Sequence, residues 1–121
     1  MTVAIYKLTE QFPKAEVFGL SSQLRRSAVS VASNIAEGYG RATQGEYVHF
    51  LGIARGSNCE LQTQLIIASE LSFGDQEAWK TADNFSHEVG KMLAAIIKSL
   101  QVQKSNRRAV SMDHQKSAGI V

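Results

Sequence analysis

Helical spacing of apolar residues along nearly the whole chain is the feature that most restricts its fold. The 121 residues contain one proline, Pro13, and no segment shows the strict alternation of apolar and polar residues typical of a half-buried strand. Apolar residues recur instead at intervals of three and four, which places them on one face of a helix. The sequence therefore predicts an all-α fold.

Four helices are predicted from this spacing and from signals at their ends. Their approximate ranges are 2–11, 21–39, 43–71 and 75–101. Ser21 and Asp75 are the predicted N-caps of the second and fourth helices, and Thr43 with Glu46 forms a capping box for the third. Three long helices and a short one, joined by short connectors, predict an antiparallel up-down four-helix bundle.

Charge is distributed unevenly along the chain. Residues 1–97 carry eight Lys/Arg and ten Asp/Glu, whereas residues 98–121 carry five Lys/Arg and one acid. Apolar periodicity fades beyond Gln101, so we expect a bundle domain over 1–101 and a basic C-terminal tail over 102–121. Such a tail is compatible with contact to nucleic acid or another polyanion, but a solvated terminus is the preferred interpretation.

Composition excludes several classes of protein. A single cysteine, Cys59, cannot form an intramolecular disulfide. No apolar run approaches the ~18 residues of a membrane span, and the first residues lack the pattern of a secretory signal. We therefore expect a cytoplasmic protein that does not enter a membrane.

Polar residues follow helical spacing on the second and third predicted helices. The members of this polar set are Arg26, Ser30, Asn34, Glu37, Ser57 and Glu60. Alanines at 28, 32 and 36 and glycines at 52 and 56, each four apart, favour close packing of the two helices. The set is either a binding site for a polar or anionic ligand or a network of hydrogen bonds and ion pairs, inside the bundle or at a subunit interface. The network is the preferred interpretation because structural ion pairs also produce such clusters.

Patterns that would indicate an enzyme or a metal protein are incomplete. Glu46-Tyr-Val-His49 matches one Glu-x-x-His pair of a di-iron bundle, but the second pair is missing. Cys59 and the histidines lack the spacing of zinc ligands, and Gly38-Tyr-Gly40 is more typical of a helix end than of a phosphate loop. We expect no catalytic residues, no metal and no cofactor.

Several ordered blocks resemble one protein family. They are Leu8-Thr-Glu-Gln-Phe-Pro-Lys-Ala-Glu16, Gly19-Leu-Ser-Ser-Gln-Leu-Arg-Arg26, Ser33-Asn-Ile-Ala-Glu-Gly-Tyr-Gly-Arg41, Phe50-Leu-Gly-Ile-Ala-Arg-Gly-Ser57 and Glu60-Leu61. Over Tyr6 to Leu100 the chain resembles the four-helix bundle proteins called 23S rRNA intervening-sequence proteins, or the S23 family. Relatives of that family include the accessory variability proteins of diversity-generating retroelements.

The resemblance implies an antiparallel four-helix bundle that assembles as a homopentamer around a central axis, with no established enzymatic activity. Family members usually carry a longer segment before the part that matches Tyr6, so the resemblance also implies a shortened first helix here. The retroelement relatives are basic proteins that bind nucleic acid and a reverse transcriptase. Residues on the family's pattern are Gln23, Arg25, Arg26, Ser30, Asn34, Glu37, Gly38, Arg41, Arg55, Gly56, Ser57 and Glu60.

Two hypotheses about function follow. The first is a non-enzymatic homo-oligomer, expected to be a pentamer, that serves as a scaffold or interaction module and is held in register by the polar set. The second is an accessory protein that binds RNA or DNA through a repeated basic surface. The candidate residues for that surface are Arg25, Arg26, Arg41, Arg55, Lys104, Arg107 and Arg108. The acidic balance of residues 1–97 argues against strong phosphate binding by the bundle itself.

Overall fold

The chain folds into an antiparallel bundle of four helices. The computed structural model describes residues 1–120, and side chains for residues 1–110. The elements are α1 (Thr2–Glu10), a short 3₁₀ helix (Lys14–Glu16), α2 (Leu20–Tyr39), α3 (Gln44–Glu70) and α4 (Gln76–Ile120). Residues 1–120 contain no strand. The structure therefore confirms the predicted all-α bundle with a shortened first helix.

Two of the predicted helix starts are confirmed. The Glu46 N–H donates to Thr43 Oγ1 at 3.2 Å at the start of α3, and the Ala78 N–H donates to Asp75 Oδ1 at 2.8 Å at the start of α4. The bond from the Ala78 N–H, together with a hydrogen bond involving Gln11, holds the pKa of the Asp75 carboxyl below its ordinary value. The carboxylate is therefore favoured where it satisfies a free N–H of the first turn.

The prediction that Ser21 caps α2 is wrong. The helix begins one residue earlier, at Leu20, and its N-cap is Gly19. The Leu20 N–H donates to Glu16 Oε2 at 3.1 Å, while Ser21 is buried in the first turn of the helix. The preceding 3₁₀ turn brings the Glu16 carboxylate back to the start of α2. This carboxylate, rather than the Ser21 hydroxyl, accepts a hydrogen bond from the first turn.

The apolar core is divided into two clusters along the bundle. The first contains side chains from all four helices, namely Ile5, Leu8, Phe12, Leu20, Leu24, Ala28, Leu61, Leu65, Ala68 and Ala82. The second contains Leu51, Ala54, Leu93 and Ile97, and its α2 contribution is the half-buried Ile35. No α1 residue belongs to the second cluster, so the described core is four helices thick at one end and three at the other.

The short first helix explains this division. Thr2 Oγ1 of α1 donates to the Ala28 carbonyl oxygen at 3.5 Å, and Thr9 Oγ1 accepts from Arg25 Nε at 2.8 Å. Since α1 and α2 run antiparallel, α1 covers only the first half of α2. Tyr39, the last residue of α2, is 82% exposed.

The fourth helix runs well beyond the predicted end at Gln101. It continues to Ile120, although the side chains of residues 101–110 are all exposed. Gln44 Nε2, at the first residue of α3, donates to the Leu100 carbonyl oxygen at 2.9 Å, so α3 begins level with Leu100. The basic segment from residue 102 is thus a helix that projects past the bundle, rather than an irregular tail. The division into a bundle domain over 1–101 and a basic segment over 102–121 stays a prediction.

None of the helices in residues 1–120 is both long enough and apolar enough to cross a membrane.

Candidate functional site

A polar groove lies between α2 and α3, the pair of helices with the most extensive contact in the bundle. Its volume is about 390 Å³. Every side chain that lines it is polar: Gln23, Arg26, Ser27, Ser30, Ser57, Glu60 and Gln64. Four members of the predicted polar set, Arg26, Ser30, Ser57 and Glu60, therefore line one concave surface.

Hydroxyl and amide groups in and beside this polar groove bond to each other. Ser30 Oγ and Ser57 Oγ are 2.8 Å apart and share a hydrogen bond between α2 and α3. Asn34 Nδ2 donates to the Ser30 carbonyl oxygen at 2.8 Å and to Ser30 Oγ at 3.1 Å. Ser27 Oγ donates to Gln64 Oε1 at 3.0 Å. The Ser30–Ser57 and Ser27–Gln64 bonds join the two helices, whereas the bonds of Asn34 lie within α2.

The charged members behave differently, because no ion pair forms among Arg26, Glu37 and Glu60 within the described residues of one chain. Arg26, Glu37 and Glu60 are all exposed. Arg26 and Glu60 form no ion pair with any residue among 1–110, and Glu37 pairs with Arg41 on its own helix. Their positions on the outer edges of α2 and α3 leave them open to solvent within a single chain.

The bundle arginines do not form one basic patch. Arg25 lies on the α1 side of α2, where its guanidinium stacks over the Tyr6 ring at 4.6 Å. Arg26 points about 100° away from it, into the polar groove facing α3. Arg41 is held by Glu37 and lies over the Phe50 ring at 4.7 Å, and Arg55 is exposed on α3.

Close approach of α2 and α3 depends on a glycine that spacing did not single out for that role. A Cβ atom at Gly52 or Gly56 would meet nothing within 4 Å, so these glycines do not mediate the contact. A Cβ at Gly38 would lie 2.9 Å from Phe50 Cβ and 3.1 Å from Tyr47 Cδ2. Gly38 therefore acts less as a helix stop than as the point where the end of α2 packs tightly on the start of α3.

Sequence reasoning also missed a buried amide. Asn58 is 1% exposed, and its Nδ2 donates to the Ser86 carbonyl oxygen on α4 at 2.8 Å. Its Oδ1 has no hydrogen-bond partner in the described structure. Asn58 directly follows Ser57 in the sequence but faces α4, because successive residues on a helix point about 100° apart. An asparagine amid the apolar spacing of α3 was the available signal.

Candidate metal ligands remain apart. Within the described residues, no group of three or more His, Cys, Asp or Glu side chains is arranged to hold a metal ion. His49 packs edge-on against Phe50, and His87 Nδ1 lies 2.9 Å from the Asp83 carbonyl oxygen.

Comparison with known proteins supports one family. The family model described as 23S rRNA-intervening sequence protein matches residues 1–95. A solved protein with unknown function from the S23 ribosomal protein family of Bacteroides thetaiotaomicron VPI-5482 has a similar fold, with a TM-score of 0.70 and 27% sequence identity. That match covers 80% of this chain and 88% of the other. Among curated proteins no relative matches the chain.

Proposed function

Because this chain belongs to the family of 23S rRNA-intervening sequence proteins, we propose that it acts as a non-enzymatic scaffold assembled from several copies of itself. The observation that supports the proposal is the polar groove between α2 and α3. Arg26 and Glu60 lie on this one surface, both exposed, and neither has an ion-pair partner within residues 1–110. A second copy supplies the complementary charge for each of them.

The chemistry of the polar groove suits recognition of a protein surface. It carries hydroxyl groups, amides and two opposite charges, and its lining contains neither histidine nor cysteine to act as a base or nucleophile. Because the polar groove carries one positive and one negative side chain, each can pair with the opposite charge on another copy. A protein surface without the matching charges is disfavoured as a partner. With the polar groove facing the axis of a closed ring, Arg26 of each copy meets Glu60 of the next, and the family resemblance makes five copies the expected number.

Charge substitutions in the polar groove test the assembly. Arg26→Glu or Glu60→Arg places like charges across the proposed contact and is expected to lower the particle mass measured by light scattering. The double variant Arg26→Glu/Glu60→Arg exchanges the charges and is expected to restore the mass. Thermal stability of the single chain should change little, because both side chains are exposed and such substitutions usually cost within about 0.5 kcal/mol.

Glu70→Arg is the matched control, since Glu70 is exposed near the end of the same helix but does not line the polar groove. It should leave the mass unchanged. A wild-type chain that stays at 13.2 kDa at all concentrations, or single variants that assemble like the wild type, would contradict the scaffold proposal.

Binding of RNA or DNA is the second candidate function, and the projecting part of α4 is the observation that favours it. Residues 98–110 carry Lys98, Lys104, Arg107 and Arg108 with no acid, and residues 101–110 are exposed on a helix. Of these cations, Arg107 also donates to Gln44 Oε1 at 2.8 Å. A basic helical arm of this kind fits contact with phosphates without sequence preference.

Salt dependence of binding tests this second function. If the arm binds phosphates, affinity for a labelled duplex or single strand should fall steeply between about 50 and 200 mM salt. Alanine at Lys104, Arg107 and Arg108 together should lower the slope of log affinity against log salt by about 2–3, at roughly 0.7–0.9 for each lost phosphate contact. Alanine at Arg25 and Arg41, which are held by contacts within the bundle, should have little effect. Absence of binding at low salt would exclude the function.

A further inference from the structure

A pocket, here called the hairpin pocket, lies where the end of α1, the 3₁₀ helix and the start of α2 meet. Its volume is about 390 Å³, within the range typical of small-molecule sites. Its lining combines charged and polar groups with apolar surface: Thr9, Glu10, Phe12, Pro13, Lys14, Val17, Ser21 and Arg25. None of these residues lines the polar groove between α2 and α3, so the two concave surfaces are distinct.

The Arg25 guanidinium is held in place at the hairpin pocket. Its Nε donates to Thr9 Oγ1 at 2.8 Å, and its central carbon lies 4.6 Å from the centre of the Tyr6 ring. Thr9 Oγ1 donates in turn to the Ile5 carbonyl oxygen at 2.8 Å, which leaves this hydroxyl oriented to accept from Arg25. A side chain that is already fixed loses little conformational freedom when it binds a ligand.

The other donors of this guanidinium are not used by the chain. Neither terminal nitrogen of Arg25 forms a hydrogen bond or an ion pair with any residue among 1–110. A guanidinium presents its N–H groups as a planar fork that matches the oxygens of a carboxylate or a phosphate. An arginine fixed through Nε, with its terminal nitrogens free, therefore indicates recognition of an oxyanion.

Ser21 supplies further free donors to the hairpin pocket. It lies four residues before Arg25 and so on the same side of α2. The residue is only 6% exposed, yet neither its hydroxyl nor its backbone N–H has a hydrogen-bond partner within residues 1–110. Buried polar groups in proteins are normally bonded, so we expect a partner from outside the chain at this position.

The charges around the hairpin pocket favour a ligand with one negative charge. Lys14 and Arg25 are cationic and Glu10 is anionic, so the lining carries an excess of one positive charge, and no ion pair joins these side chains. A carboxylate balances this excess, whereas a phosphate monoester carries about 1.5 to 2 negative charges near pH 7. Pro13 and Val17 are exposed and add apolar surface beside the charged groups.

We infer that the hairpin pocket binds a small monocarboxylate with an apolar body. The carboxylate accepts hydrogen bonds from the terminal nitrogens of Arg25 and from Ser21 Oγ, and Lys14 adds a second positive charge. The apolar body packs on Pro13 and Val17. Because the hairpin pocket is not part of the polar groove, ligand binding does not depend on the proposed scaffold.

Binding of 3-phenylpropanoate to the full-length chain, measured by isothermal titration calorimetry, tests the chemical class. We expect a Kd of about 1 mM or tighter for this probe. The neutral 3-phenylpropanamide has the same body but should bind at least about tenfold more weakly, because it cannot accept charge-assisted hydrogen bonds. Phenyl phosphate should bind no more tightly than the carboxylate. Equal affinity for the acid and the amide, or a preference for phenyl phosphate, would overturn the inference.

Substitutions at neighbouring arginines locate the site. Arg25→Gln should weaken binding of 3-phenylpropanoate by about ten- to a hundredfold, because it removes the fork and its charge. Arg25→Lys should also weaken binding, since an ammonium keeps the charge but not the planar fork. Arg26→Gln is the matched control, because the adjacent Arg26 lines the polar groove instead, and it should leave the affinity unchanged.

Nuclear magnetic resonance of the wild-type chain tests the location without relying on any variant. Addition of 3-phenylpropanoate should shift the backbone amide signals of residues 14–25 and the Nε–H signal of Arg25, while those of residues 52–60 stay in place. The absence of any shift at about 10 mM probe, well above the expected Kd, would overturn the inference. So would shifts confined to the polar groove.

Discussion

Replacing Leu61 with alanine is expected to lower the free energy of unfolding by about 2–5 kcal/mol. Leu61 is fully buried on α3, in the cluster to which all four helices contribute side chains. Truncation removes apolar contacts and leaves a cavity that four helices, fixed by one another, cannot easily fill. Urea unfolding followed by far-UV circular dichroism measures the loss as a lower midpoint at unchanged slope.

Leu71→Ala provides the control for this prediction. Leu71 follows the end of the same helix but is 53% exposed, so the same chemical change should cost no more than about 0.5–1 kcal/mol. Equal losses for the two variants would show that the four-helix cluster is not packed as described.

The second large effect is expected at Gly38. A methyl group at this position would lie 2.9 Å from Phe50 Cβ, where neither α2 nor α3 can move without disturbing the other. Gly38→Ala is therefore expected to lower the free energy of unfolding by about 1–3 kcal/mol, as overpacked substitutions do. Differential scanning calorimetry is a suitable measurement, because the midpoint shift is several degrees for a chain of this size.

Gly52→Ala is the matched control, and it should have the opposite sign. Its Cβ meets nothing within 4 Å, and alanine favours the helix by up to about 1 kcal/mol relative to glycine. If Gly38→Ala were instead stabilising like Gly52→Ala, the close approach of α2 to α3 at this point would be excluded.

Most of the fold could be predicted because it depends on local patterns. The spacing of apolar residues gave the helix number, and the chemistry of Thr43 and Asp75 located two of the helix starts. Ser21 failed as a predicted cap because the helix already begins at Leu20, whose N–H donates to Glu16 from a turn that apolar spacing does not describe. The continuation of α4 past Gln101 was missed because an exposed helix has no apolar face to recognise.

Spacing brought Arg26, Ser30, Ser57 and Glu60 to one groove, but Arg26 and Glu60 form no ion pair within residues 1–110. The hydroxyl groups of Ser30 and Ser57 share a hydrogen bond across the contact between α2 and α3, whereas Asn34 bonds Ser30 on its own helix. Spacing could not establish whether Arg26 and Glu60 reach each other, since that depends on the rotation of α2 relative to α3. Because spacing does not fix this rotation, it also predicted the close contact at Gly52 and Gly56, whereas the structure places it at Gly38.

The four-helix cluster also has a consequence for the order in which the chain folds during synthesis. It combines Ile5 and Leu8 of α1 with Ala82 of α4, which is synthesised later. The α1–α2 hairpin can form early, since its contacts are local, but the cluster cannot close until Ala82 has left the ribosome. Its apolar side chains thus stay open through much of translation, which makes the nascent chain a natural client for chaperones that recognise exposed apolar segments.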